Sequence, residues 1–242
     1  FLSIAAKGEE QGGWENRRIA ALTSDPELAG KIARHGEDEE RHGRLFAALL
    51  RKRGLEPAAV PPEVDYCMPL EQQGVGLSHE RLQCDEPLST EEILRYLAHS
   101  RVTEQRAAEE IALQMKIFAD DPDLGRAVRM ISADEDDHLA YCHEELLRFA
   151  AAGHAATIRR MLRAYARVEI DTYRDVSLGV MARMGGILGW SRWKRGALAA
   201  GIRVIHAVER AWTWRRMTAL RPPAKRNAMA PRPRRGHTEL AS

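Results

Sequence analysis

The sequence predicts an all-α protein that is organised around two copies of one helical hairpin. Residues 25–42 (DPELAGKIARHGEDEERH) align with residues 121–138 (DPDLGRAVRMISADEDDH) at a shift of 96 positions. In both copies the apolar residues recur every three or four positions, which is the period of a helix with one buried face. Charged residues make up 30% of the chain and aromatic residues only 6%, a composition typical of helical proteins. The length of 242 residues allows one sizeable core and an appendage.

A first helix is expected from the start of the chain to about residue 22. Gly12-Gly13 lies inside it and costs helix stability, about 1 kcal/mol per Gly relative to Ala. Two interpretations stay open: the glycines leave room for a ligand or a neighbouring helix, or the helix tolerates them locally. The face expected to point inward contains Ala6, Glu10, Trp14 and Ala21.

The second and fourth helices, about 26–53 and 122–152, carry the chemistry. Each follows an Asp-Pro pair, in which Asp can cap the helix and Pro suits its first turn. Each has Glu-x-x-His in the middle of an apolar stripe, as Glu39 with His42 and as Glu135 with His138. A buried carboxylate needs a partner, and a metal ion would serve both residue types at this spacing.

The helices that precede these two motifs also match each other. Both contain Glu-Gln-x-x-x-Glu, from Glu10 to Glu15 and from Glu104 to Glu109, at a shift of 94. The unit is therefore a helix with one Glu, a turn, and a helix with Glu-x-x-His. An acidic face in solvent is the alternative, but the repeated register favours metal ligation.

These motifs resemble the ferritin-like di-iron carboxylate proteins, in which two helices give one Glu each and two others give Glu-x-x-His. The resemblance covers about residues 1–153 and implies a four-helix bundle with two iron ions, or manganese or a mixed Mn/Fe pair. Glu9 is the alternative to Glu10, and the repeat alignment favours Glu10. The implied metal ligands are Glu10, Glu39, His42, Glu104, Glu135 and His138, with Glu39 and Glu135 as bridges. No catalytic residue is assigned.

Residues 54–89 are rich in Pro and Gly and are expected to form a long crossover connection rather than a helix. Ser89-Thr90-Glu91-Glu92 is a capping box that opens the third helix. Arg101 lies one turn before Glu104, where it can pair with a ligand carboxylate or project to the surface.

Residues 154–220 form a basic, Trp-rich helical extension. We count 18 Lys+Arg against 30 Asp+Glu in residues 1–154, and 19 against 5 in residues 155–242. One helix is expected over about 155–182, with a break at Gly185-Gly186 and Gly189, and another over 191–220. These helices either pack on the acidic bundle or lie on a membrane surface, with nucleic acid as a weaker alternative. No apolar run is long enough to span a bilayer, and the Pro/Arg tail, residues 221–242, is expected to be disordered.

The sequence leaves the roles of His35 and Tyr141 open. His35 is a metal-site partner, a proton carrier or an ordinary buried His, and Tyr141 is a radical, hydrogen-bonding or packing residue. Three cysteines (Cys67, Cys84 and Cys142) at no paired spacing predict a reducing, cytoplasmic location, with the extension as a candidate contact with the inner membrane face.

The ligand pattern implies an O2-activating oxidase or oxygenase that acts on an unidentified, hydrophobic small molecule and takes electrons from a donor protein. Both His are present, whereas iron-storage ferritins typically lack the second. Ala107 and Ala108 stand where rubrerythrin-like peroxidases carry an extra Glu, which argues against that activity. The alternatives are an iron- or manganese-handling ferroxidase or storage protein and a metal-free interaction module. A homodimer is an open possibility for the assembly.

Overall fold

The structure is a computed structural model in which residues 2–220 are described, and the predicted disordered tail, residues 221–242, lies outside the described residues. Over the described range the chain is helical and contains no strand. The four long helices that the repeat predicts are all present. They are α1 (Leu2–Leu22), α2 (Pro26–Lys52), α5 (Thr90–Ile117) and α6 (Pro122–Phe149), with α3 (Cys67–Gln72) and α4 (His79–Gln83) between the two pairs.

Helices α1 and α2 form a tight hairpin. The Asp25 side chain accepts hydrogen bonds from the backbone N–H groups of Glu27 and Leu28, as the predicted cap requires. A Cβ added to Gly36 would lie 3.2 Å from the Gly13 carbonyl oxygen, and one added to Gly43 would lie 3.3 Å from that of Ala6. The two backbones approach each other through these glycines, so the interpretation of Gly13 as a helix-packing residue is confirmed.

The connection between the hairpins is less irregular than predicted. Besides a short 3-10 turn, Pro62–Val64, it contains α3 and α4. The Arg81 guanidinium in α4 binds Glu92 Oε1 at 2.5 Å. Glu92 also accepts a hydrogen bond from the backbone N–H of Ser89, and the predicted capping box of α5 is confirmed. Side-chain caps open both short helices: Asp65 accepts hydrogen bonds from the backbone N–H groups of Cys67 and Met68, and Ser78 accepts one from that of Arg81.

The two hairpins share a hydrophobic core. Its fully buried side chains include Ile32 of α2, Leu97 of α5 and Leu146 of α6, and Ile158 and Leu162 of the next helix join them. Cys142 is buried, Cys67 is half-buried and Cys84 is exposed, and all three are free thiols, as the sequence predicted.

A π-turn, Ala150–His154, with Gly153 at a φ of 103°, leads from α6 into the extension. Helix α7 (Ala155–Ile187) runs through Gly185 and Gly186, so the predicted break there is wrong. A glycine costs a helix only about 1 kcal/mol relative to alanine and does not forbid it, and α7 ends just before Gly189, whose φ is 62°. Helix α8 (Arg192–Val208), a π-turn (Glu209–Thr213) and α9 (Arg215–Thr218) follow.

A buried ion-pair network fixes the extension to the second hairpin. Arg106 of α5 donates to Glu169 of α7 at 2.7 and 2.9 Å and to Glu209 at 2.7 Å. Arg101 takes neither of its two predicted roles: it is buried and donates to the backbone carbonyls of Arg216 and Ala219. The interpretation that the basic extension packs on the acidic hairpins is therefore confirmed for α7 and α9.

Helix α8 differs from α7 and α9 in that much of its outer side is apolar and exposed to solvent. Trp193, Val204 and Ile205 are 89%, 62% and 66% exposed. Over residues 2–220, no helix has the length and apolar character that crossing a bilayer requires.

Candidate metal centre

The Glu-x-x-His motifs of α2 and α6 face each other in the middle of the molecule. His42 and His138 are 0% and 3% exposed, and Glu135 is 5% exposed. The carboxylate of Glu135 lies between the two imidazoles, with Oε1 3.7 Å from His42 Nδ1 and Oε2 4.0 Å from His138 Nδ1. Glu135 therefore occupies the position of a group that can contact two ions at once.

Two groups of potential ligand atoms flank Glu135, and in each group the atoms lie within 4.8 Å of one another. One group contains Glu9, His42 and Glu135, with Glu9 Oε2 3.2 Å from His42 Nδ1. The other contains Glu104, His138 and His35, with Glu104 Oε2 3.8 Å from His138 Nδ1. Glu39 borders the second group. We call these seven side chains the buried cluster: Glu9, His35, Glu39, His42, Glu104, Glu135 and His138.

The prediction for α1 needs a correction. Glu10 is exposed and belongs to neither group, whereas Glu9, the alternative, points inward. The buried side of α1 contains Ala6, Gly13 and Asn16, so the expected inward face was wrong by about one residue. Glu9 shares this side because it lies three residues after Ala6 and four before Gly13.

Gly12 of α1 leaves space for the side chain of Glu39. A Cβ on Gly12 would lie 2.1 Å from Glu39 Oε2, so the Glu39 carboxylate keeps its present position only beside a glycine. The amide of Asn16, one turn further along α1, donates to the same oxygen at 3.2 Å. The open question about Gly12 is thereby answered: it makes space beside the buried cluster.

Two aspartates that the sequence analysis missed orient the histidines. Asp134 Oδ2 lies 3.2 Å from His42 Nε2, and Asp38 Oδ2 lies 3.4 Å from His138 Nε2. Each aspartate precedes the Glu of one motif and binds the His of the other, and Arg41 bridges the two aspartates. A hydrogen bond on Nε2 turns Nδ1 toward the carboxylates and is the usual support of a metal-binding His. The signal was present in the sequence, since both motifs read Asp-Glu-x-x-His at the shift of 96.

The pKa values of the carboxylates and of His35 in the buried cluster are shifted in different directions. Burial raises the pKa of Glu9 and raises that of Glu135 strongly, with the Glu104 charge adding to the effect on Glu135. Burial acts in the same direction on Glu104, but His35 and His138 hold its pKa at about 2. Burial would lower the pKa of His35, and the facing carboxylates more than offset it and raise the pKa to about 10. Without a cation, protons must therefore balance the buried carboxylates.

The residues fit a pair of cations. His138 Nδ1 is buried, faces Glu104 and Glu135, and has no hydrogen-bond partner among the described residues. Ligand atoms about 2.1 Å from one ion lie about 3 Å apart, close to several separations in the cluster. Carboxylate oxygen with imidazole nitrogen and no thiolate suits iron or manganese better than structural zinc. The cluster can hold metal, and its atoms do not specify which one.

A cavity of about 700 Å³ opens directly onto the cluster. Its walls include Glu9, His35, Glu39, Glu104 and Glu135 on the metal side. The part of the lining that comes from α7 and α8 is largely apolar and contains Tyr173, Val176, Val180, Met181, Leu198 and Ile202. This size and lining are those of a small-molecule binding site.

A smaller polar group lies along the same cavity. Glu15 and Glu71 line it, and His79 Nδ1 contacts Glu71 Oε2 at 2.5 Å while its ring stacks on Trp14. Burial raises the pKa of Glu15 to about 7. The three side chains could also hold an ion, but they are only half-buried.

Comparisons with protein-family models, with curated proteins and with solved structures find no match to this chain in any of the three. We therefore infer the function from the site itself.

Proposed function

We propose that the protein is a ferritin-like di-iron, or Mn/Fe, oxidase or oxygenase that acts on a hydrophobic small molecule. One observation carries the proposal: the buried carboxylate–imidazole cluster forms one wall of a mainly apolar cavity of about 700 Å³. A site that only oxidised and stored iron would need a path for ions, and a large apolar chamber would serve no purpose there.

The ligand set in this proposal is the predicted one with Glu9 in place of Glu10. Glu9 and His42 would hold one ion and Glu104 and His138 the other, and the Glu135 carboxylate, which lies between the two imidazoles, would serve both. Glu39, the other predicted bridge, would stand beside Glu104. Two such ions would supply the binding and reduction of O2. A monooxygenation inserts one oxygen atom into a C–H bond and reduces the other to water, which would take two electrons from a donor protein and two protons from solvent.

The chain's own residues bind the substrate and exclude water. The α7 and α8 side chains give an apolar surface that favours hydrocarbon over water. Glu15 of α1, which accepts a hydrogen bond from Gln11 at 3.0 Å, adds one polar group to the cavity lining and can bind a hydroxyl or amine of the substrate. An amphiphilic substrate with a hydrocarbon body fits both features.

The test separates oxidation of a substrate from iron storage. Val180→Trp would fill the apolar wall away from the cluster, and Val204→Trp makes the same change on the outer side of α8, where the residue is 62% exposed. We expect Val180→Trp to bind iron normally but to lose O2 consumption that depends on added hydrophobic compounds, and Val204→Trp to behave as wild type.

Iron storage predicts a different result. Iron would accumulate far beyond two ions per chain in a multi-subunit shell, and Val180→Trp would have no effect on O2 consumption. That pair of observations would refute the oxygenase proposal in favour of the ferroxidase alternative.

We also propose that α8 rests on an anionic membrane surface on the cytoplasmic side, where it would receive a lipid-soluble substrate. Leu198 and Ile202 of α8 line the cavity, while Trp193 and Ile205 of the same helix are open to solvent. Arg192, Lys194, Arg195 and Arg203 add positive charge that complements anionic headgroups.

Vesicle co-sedimentation tests the membrane contact. Trp193→Ser with Ile205→Ser should release the protein from anionic vesicles. A matched pair on α5, Leu113→Ser with Ile117→Ser, removes side chains that are 51% and 62% exposed and should leave binding unchanged. If the α8 and α5 double variants bind the vesicles equally well, the proposed membrane contact of α8 is refuted.

A further inference from the structure

The two hairpins differ at one position of the buried cluster. His35 lies one turn before Glu39 in α2, and the matching residue of α6 is Ile131, a core residue. His35 is 2% exposed, and its ring stacks on His138 with the centroids 3.8 Å apart. A third imidazole therefore stands inside a cluster for which the repeat predicts only two.

The outer nitrogen of His35 is held by a hydrogen-bond chain whose directions can be worked out. The Asn16 amide nitrogen donates to the Glu39 carboxylate, so its oxygen Oδ1 accepts the Tyr96 hydroxyl at 2.7 Å. Tyr96 has no second proton, so Tyr141 donates to it across 2.7 Å. The Tyr141 oxygen then accepts from His35 Nδ1 at 2.8 Å. Tyr141 is thus a hydrogen-bonding residue, as one of its predicted roles required.

This chain fixes the proton of neutral His35 on Nδ1 and leaves the Nε2 lone pair facing the cluster. Nε2 lies 2.9 Å from Glu39 Oε1 and 3.1 Å from Glu104 Oε1. Neither contact is a well-formed hydrogen bond, and Nε2 has no hydrogen-bond partner within residues 2–220. A buried nitrogen aimed between two carboxylates, with its other nitrogen held by a hydroxyl, has the arrangement of a metal ligand.

We propose that His35 Nε2 is a third imidazole ligand, for the ion that Glu104 and His138 also bind. The inference rests on the proposed function, because it concerns the same metal centre. The two positions then differ chemically: one has two imidazoles, from His35 and His138, and the other has only His42. Since imidazole favours later divalent ions more than carboxylate does, the two positions should bind a test metal with unequal affinity.

The alternative is that His35 only supplies positive charge to Glu39 and Glu104 as an imidazolium. That role needs no metal and would stabilise the metal-free protein instead. The two accounts differ in what happens when His35 is replaced: a ligand changes the metal's coordination, whereas a counter-charge changes only the metal-free fold.

Anaerobic titration of the full-length, metal-free protein with Co(II) tests the proposal, since Co(II) reports coordination through its visible absorption and does not require turnover. We expect two classes of Co(II) site in the wild type. Tyr141→Phe should weaken one class by about 10–100-fold, the range for loss of an orienting partner, and His35→Gln should weaken the same class more and change its spectrum.

His143→Gln is the matched control. His143 of α6 is, like His35, a buried imidazole whose Nε2 has no hydrogen-bond partner among residues 2–220, but it belongs to neither ligand group. This variant should bind Co(II) as the wild type does. Circular dichroism of each metal-free variant shows that the helices persist.

Two results would overturn the inference, and they are distinguishable. If His35→Gln keeps both Co(II) classes with unchanged spectra, His35 is not a ligand, although the metal centre stands. If the wild type binds no Co(II), the metal centre itself is refuted and the inference falls with it.

Discussion

Gly12→Ala is the substitution that most directly connects helix packing to the chemistry of the cluster. The new methyl group would lie 2.1 Å from Glu39 Oε2, whereas ordinary contact begins at about 3.4 Å. The Glu39 carboxylate must therefore move by more than about 1 Å, which is enough to spoil a metal ligand's geometry. It would also leave its hydrogen bond with Asn16.

The expected effect on folding is small, because two terms oppose each other. Alanine favours a helix interior by about 1 kcal/mol relative to glycine. Loss of the hydrogen bond from Asn16 to the charged Glu39 costs about 1.5–3 kcal/mol. The free energy of unfolding should therefore fall by no more than about 2 kcal/mol, while metal affinity falls strongly.

Gly30→Ala is the matched control, since Gly30 lies inside α2 with no atom within 4 Å of an added Cβ. It should raise the free energy of unfolding by about 1 kcal/mol and leave metal binding unchanged. Chemical denaturation and anaerobic metal titration of both variants give the comparison. Wild-type metal affinity in Gly12→Ala would refute the assignment of Glu39 to the centre.

Three further predictions follow from single contacts. Asp134→Asn should weaken metal binding by about 10–100-fold in a Co(II) titration, because it alters the group that orients His42; unchanged affinity would contradict that role. Arg106→Met should lower the free energy of unfolding by about 3–5 kcal/mol in urea, because it leaves Glu169 as an unpaired buried charge; a loss below 1 kcal/mol would contradict it. Burial raises the pKa of Glu15 from 4.5 to about 7, so ionisation costs stability as pH rises through that window. The free energy of unfolding of Glu15→Gln should therefore exceed that of the wild type by ~1–3 kcal/mol at pH 8 and equal it near pH 4. Urea denaturation across this pH range measures both, and parallel curves of stability against pH would refute the prediction.

The helices of the repeat could be predicted from the sequence because their signals are local. Asp-Pro starts, a capping box and apolar stripes at helical spacing mark α2, α5 and α6, and the structure places these helices within a few residues of the expected ranges. The inward direction of Glu39, Glu135 and both motif histidines followed from the same stripes.

Helix α1 shows where this reasoning failed. Its central sequence, EEQGGWENRR, has no apolar stripe, so the alignment with α5 alone decided which Glu pointed inward. That alignment used a shift of 94. In the structure the inward-facing Glu of α1 is Glu9 and that of α5 is Glu104, so the correct shift is 95. One residue turns a helix by about 100°, which is why Glu10 is exposed.

The cavity could not be predicted, because it depends on contacts that are distant in sequence. Val180 and Ile202 line the same cavity as the cluster only because α7 packs on α5 and α8 packs on α7. Ion pairs from Arg106 to Glu169 and Glu209 hold these helices in place. Arg106 is 63 positions from Glu169 and 103 positions from Glu209 in the sequence. The sequence showed that the extension was basic and helical, but not that it would close a chamber.

Anaerobic addition of Fe(II) to the metal-free protein, followed by Mössbauer spectroscopy and iron analysis, tests the central claim most directly. If Glu135 joins two ions, the protein will hold two irons per chain with coupled spins, and Glu135→Ala will lose the coupling and at least one iron while its helices persist. Iron that does not bind, that binds as isolated single ions, or that survives intact in Glu135→Ala would contradict a shared dinuclear centre.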